Sequence, residues 1–120
     1  MSVGIVGGSV SPSTALTLNA QTGTTYTFVL TDANNTLVTA SNASAQTYTI
    51  PPNSSVAYPI GSQINIIQIG AGQVSFAQGS GVTIASNGGT ASAPKLRVQY
   101  SSASAIKVNT DSWYVVGDIS

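Results

Sequence analysis

The sequence predicts an all-β protein, an antiparallel β-sandwich of jelly-roll type with an extended N-terminal arm. Short runs rich in Val, Ile, Thr and Tyr alternate with period two, as in Thr25/Thr27/Val29 against Tyr26/Phe28/Leu30. Each run is bounded by Asn, Asp, Gly or Pro, the residues that supply turn conformations others avoid. No window shows sustained apolar recurrence at three and four, so helix should be nearly absent. With 120 residues and 42% hydrophobic content, the chain can close one core without staples.

Residues 1–13 are rich in Gly and Ser, with isolated apolar side chains at Val3, Ile5, Val6 and Val10. These four are the candidate partner contacts: burying aliphatic groups of a flexible arm can offset the entropy of ordering it. Residues 14–120 form the expected single domain. Strands are expected at 15–18, 25–30, 37–40, 47–50, 63–69, 74–76 and 82–85, then at 96–100, 103–108 and 113–116. Asn109-Thr110-Asp111 reads as a tight turn making a hairpin of the last two. The Thr-x-Thr elements (Thr25/Thr27, Thr47/Thr49) recur too irregularly to predict a solenoid.

Charge is the most restrictive feature. The three cations (Lys95, Arg97, Lys107) and three anions (Asp32, Asp111, Asp118) make 5% of the chain, against a usual figure of about 25%. Zero net charge offers no handle for nucleic acid or acidic lipid, and no apolar run approaches the length of a membrane span. The start lacks a secretory-signal pattern, so synthesis in a cytoplasm without that export route is expected. His, Cys and Glu are absent, so the serines have no ordinary base, and thiolate metal sites are excluded. The three Asp fit solvated turn and terminal roles. No catalytic, cofactor or metal residues are expected. A sugar platform of Trp113 or Tyr114 with Asn109 and Asp111 ranks below core or subunit packing, and adjacency puts the two rings on opposite faces.

The strand holding Ile64, Ile66, Ile67 and Ile69 looks apolar on both sides, so its second face should meet another subunit. These four and Tyr114 are the candidate oligomer interface.

Several stretches carry a family resemblance: TYTIPPNSSVAYPIGSQINIIQIGAGQVSF at 47–76, TYTFVLTD at 25–32, GSGVTI at 79–84 and DSWYVVGDIS at 111–120. Over 23–120 the chain resembles a β-sandwich module of tailed-phage virion proteins. The resemblance implies a trimer found at tail-fibre heads and in decoration proteins. With about 22 residues ahead of the module, too few for a shaft, it implies a capsid decoration (cement) protein on the virion surface, partnered by itself and the major capsid protein. The alternative is a tail-fibre tip that recognises a host-surface glycan or protein.

Overall fold

A computed structural model describes residues 15–120. Among them are strands β1 (Thr17–Gln21), β2 (Thr25–Thr27), β3 (Thr36–Ala40), β4 (Gln46–Ile50), β5 (Gln63–Gln68), β6 (Val74–Gln78), β7 (Thr83–Ala85), β8 (Ser102–Asn109) and β9 (Ser112–Gly117), plus a 3₁₀ turn at Leu30–Ala33. The chain is all-β, as its alternation requires. Val3, Ile5, Val6 and Val10, with the rest of the expected arm, lie outside the described residues.

The strands form a six-stranded sheet in the order β1-β3-β5-β8-β9-β7 and a three-stranded sheet in the order β2-β4-β6. Pairing departs from the antiparallel scheme expected. Only β5–β8 and β8–β9 are antiparallel; the other five described pairings are parallel. A jelly roll joins antiparallel neighbours, and that connectivity is not used here. The chain instead makes three passes, β1/β2, β3/β4 and β5/β6, each giving one strand to the large sheet and then one to the small. A parallel pair needs a crossover between its strands, and the strand in the opposite sheet supplies it.

Successive passes stack in register. Thr25-Tyr26-Thr27 lies beside Thr47-Tyr48-Thr49, which lies beside Ser75-Phe76-Ala77. The Thr-x-Thr elements are therefore rungs of a coil, contrary to the expectation of no solenoid-like repeat. Unequal pass lengths hide the repeat: Thr17 faces Thr36, 19 residues on, whereas Leu37 faces Asn65, 28 residues on.

Inward side chains from both sheets fill one core. Val38, Ile66 and Ala103 align across the large sheet, and Tyr26, Tyr48 and Phe76 align across the small one. Tyr48 and Phe28 are fully buried with ring centroids 5.8 Å apart; each such ring contributes about 1.5–3 kcal/mol by burial. Trp113 meets Tyr58 edge-on at 5.2 Å. The end of the coil at the third pass is closed. Residues 94–96 run along the free edge of β6, with Phe76 N–H donating to Pro94 O at 2.9 Å and Leu96 N–H to Val74 O at 2.9 Å. The strand expected at 96–100 is replaced beyond Leu96 by a turn, in which Ser101 N–H donates to Val98 O and Tyr100 takes a φ of 69°.

Candidate functional site

The other end of the coil, at the first pass, is built differently. β1 and β2 are both edge strands, and Asn19 puts a polar side chain at an inward position that is apolar in the later passes. Asn19 occupies the column of Val38 and Ile66, and Tyr26 that of Tyr48 and Phe76. Between them sits Asp32, 1% exposed, carried in by the 3₁₀ turn. Its carboxylate accepts from Asn19 Nδ2 at 2.8 Å, Tyr26 Oη at 2.7 Å and Val29 N at 2.9 Å. Gln21 Nε2 donates to Asn19 Oδ1 at 2.8 Å and extends the network. Burial first, and the bond to Asp32 second, push the Tyr26 hydroxyl up to about 12. Above this polar layer lies an open hollow of about 590 Å³, walled by Thr17, Leu18, Val29, Thr31, Asn34 and Thr36. The layer is a polar lid on the core, as the ends of stacked folds require.

The remaining ionisable groups are held apart. Lys107 is 2% exposed, and its ammonium donates to Asn53 Oδ1 at 2.6 Å and Tyr58 O at 2.8 Å. Asn53 N–H donates to Asp111 Oδ1 at 2.6 Å, so Asn53 ties the 51–62 loop to β8 and to the turn that joins β8 and β9. Asp118 takes two bonds from Arg97 and one from the Ser101 hydroxyl, which together hold it below the usual carboxylate range. Each carboxylate thus has its own donors and none shares them with another. Among the described residues no three of His, Cys, Asp and Glu come together, and no helix is long and apolar enough to cross a membrane. Asp32 corrects the expectation of a solvated turn: turn propensity describes its backbone, while its side chain is enclosed. Asp32 bonds back to the N–H of Val29, three residues earlier, but Val29 lacks the hydroxyl that would make this spacing a capping-box signal in the sequence.

The outer face of the large sheet is the second notable surface. Its outward positions carry Leu18 and Ala20 from β1, Leu37 and Thr39 from β3, Gln63, Asn65 and Ile67 from β5, Ser104, Ile106 and Val108 from β8, and Tyr114 and Val116 from β9. None of these is charged. Gln63, Asn65 and Ser104 bond to one another in the middle: Ser104 Oγ donates to Asn65 Oδ1 at 2.6 Å, and Gln63 Nε2 donates to both partners. Apolar stripes flank them, Leu18 beside Leu37 on one side and Ile106 beside Tyr114 on the other.

The expected interface residues divide between core and surface. Ile64 and Ile66 are fully buried in the chain's own core, which corrects their assignment to a subunit contact. Because Gln68 takes the third inward position and donates to Gly70 O while accepting from Val74 N, β5 is not apolar on both faces. Ile67 points outward and Ile69 follows the strand; both are half-buried. Of the two rings offered for a sugar platform, Trp113 is buried in the core and Tyr114 is 53% exposed. Leu18 and Leu37 also belong to the outward stripe, a pairing that exists only once β1 and β3 stack. No family model matches the chain, and neither the curated proteins nor the solved structures contain a match.

Proposed function

We propose that this chain is a non-enzymatic structural protein of a tailed-phage particle, acting as a homo-oligomeric capsid decoration protein. The observation that carries the assembly reading is the uncharged outer face of the large sheet. A monomer keeps such a surface soluble with charge, and this face has none on any of its outward strand positions. The location on a virion, and the trimer as the oligomer, come from the resemblance of residues 23–120. Two sheets over a common core, built by coiling, suit that role. The separation of the three Asp into independent hydrogen-bonded sets supports binding over catalysis.

Mixing the full chain with expanded phage shells tests the reading: saturable, stoichiometric binding that raises the shell's melting temperature is expected. Absence of binding, with no self-association of the free protein, overturns it.

A second reading, a tail-fibre tip for a host-surface glycan, is favoured by the hollow over Asn19, Tyr26 and Asp32. Its polar walls and flanking Leu18 and Val29 suit the hydroxyls and C–H faces of a neutral sugar. Binding on a glycan array that is lost on Asn34→Ala would favour it over decoration.

A further inference from the structure

We propose that Lys107 and Asn53 are a self-modification site, at which Lys107 Nζ displaces ammonia from the Asn53 carboxamide and leaves an intramolecular isopeptide bond. The inference goes beyond the virion reading and does not depend on it.

The burial of the lysine is the first observation. Lysine is almost never fully buried unless it is paired, yet Lys107 is 2% exposed and lies beside Trp113 across the β8–β9 ladder. Among the described residues no carboxylate forms an ion pair with it. Its ammonium donates instead to two neutral acceptors, Asn53 Oδ1 and Tyr58 O. A buried cation without a counter-charge is a costly state. An amide at the same place carries no charge, so coupling removes that cost.

The geometry is the second. Nζ stands 2.6 Å from Asn53 Oδ1, and a carbonyl bond of ~1.23 Å keeps it within about 3.8 Å of Cγ. Reacting atoms in a near-attack arrangement lie about 3–3.5 Å apart, so a small rotation suffices. Both residues are pinned by their backbones. Lys107 N–H donates to Ser62 O at 2.9 Å, and Lys107 O accepts from Gly61 N–H at 2.7 Å. Asn53 follows Pro51-Pro52, and its N–H donates to Asp111 Oδ1 at 2.6 Å. Because an ammonium only donates, the atom facing it is the carbonyl oxygen, and Nδ2, the leaving group, lies on the other side of Cγ. Asn53 is half-buried, which gives ammonia a way out.

Asp111, held against the same asparagine, serves as the proton carrier. The Lys107 ammonium gives one proton to its carboxylate through a bridging water. The freed lone pair attacks Cγ and forms the Nζ–Cγ bond. A second proton passes from Nζ to Nδ2, the Cγ–Nδ2 bond breaks, and ammonia leaves. Ammonia then takes the first proton from Asp111 and departs as ammonium. Nothing is oxidised or reduced, and the chain loses one positive charge. The product is a closed loop of about 55 residues that contains β5, β6 and β7, a staple that a cysteine-free chain cannot make from disulfides.

Mass spectrometry of the denatured full chain, intact and after trypsin, tests the bond. The expected mass is about 17 Da, one ammonia, below that of the unmodified sequence. Trypsin should then leave Lys107 uncut and yield fragment 1–95 joined to fragment 98–120. Lys107→Arg and Asn53→Ala should both show full mass and separate fragments. Asp111→Asn suits the left-handed φ of 62° at that position and keeps an oxygen for the Asn53 N–H. It should link at least tenfold more slowly, and the unlinked form should melt at least about 10 °C below the linked wild type. A wild type at full mass, both fresh and after prolonged incubation, overturns the proposal. So does an ammonia loss that maps to Asn87-Gly88 as a succinimide, with no joined fragments. Asp111→Asn linking as fast as the wild type overturns the proton route.

Discussion

Three donors converge on the buried Asp32 carboxyl group, two from side chains of the first pass and one from the backbone of its own turn. Removing the carboxylate strands all three. Asp32→Ala should therefore lower the unfolding free energy by about 2–4 kcal/mol, read from urea denaturation. Tyr26 reports on the same network from the other side. Its folded hydroxyl ionises near 12, and burial pushes Tyr48 up to about 12 as well, against 10.0 for an open chain. A raised value in the folded state means the native form holds the proton more tightly. The stability linked to these two rings is complete below about pH 10 and falls as pH rises toward 12. Melting temperatures should decline across that window. Absorbance at 295 nm should show that Tyr26 and Tyr48 stay protonated until the fold begins to open, and the decline should be shallower in Tyr26→Phe.

Between residues and sheets, the connections decide whether the passes can stack. Gly72 lies against the loop between β3 and β4, where a Cβ would overlap the Ser44 carbonyl oxygen. Gly72→Ala must push the third pass away from the second, and a loss of at least about 2 kcal/mol is expected in thermal or urea melts. The 51–62 loop depends instead on Lys107. Lys107→Met keeps the length of the side chain but leaves Asn53 Oδ1 and Tyr58 O without their donor. A cost of about 1–3 kcal/mol is expected, with faster amide exchange at Asn53. The individual strands were legible because alternation determines which side chains face inward, and the Asn109-Thr110-Asp111 turn was legible from its residue types; Asp111 takes the left-handed φ of 62° there. Alternation does not name a strand's neighbour. Parallel stacking of Thr25-Tyr26-Thr27 on Thr47-Tyr48-Thr49 therefore stayed hidden behind the unequal lengths of chain between them. The candidate site was hidden for a different reason: Asn19, Tyr26 and Asp32 are near in sequence, but they meet only because β1 and β2 go to opposite sheets and the turn at Leu30–Ala33 folds back between them.

Across the whole molecule the two ends of the coil are unequal, and stability should follow that inequality. β3, β5 and β8 each have bonded strands on both sides, whereas β1 and β2 each have one free edge. Native-state hydrogen exchange should find the β1 and β2 amides at least about tenfold less protected than those of β5 and β8. A uniform profile would mean that the coil opens only as a single unit.

The closed end of the coil also bears on fibril formation. A strand-edged protein converts to amyloid when the lower edge of one copy can template the upper edge of the next without limit. Here the β6 edge is already occupied by residues 94–96, and β7, the far edge of the large sheet, is only three residues long. Copies stacked with the first-pass end of one on the third-pass end of the next would have to displace that segment before β2 of one could pair with β6 of the other. The third-pass end is thus capped against templated strand addition, which leaves growth by repeated end-to-end stacking without a second open edge in the small sheet.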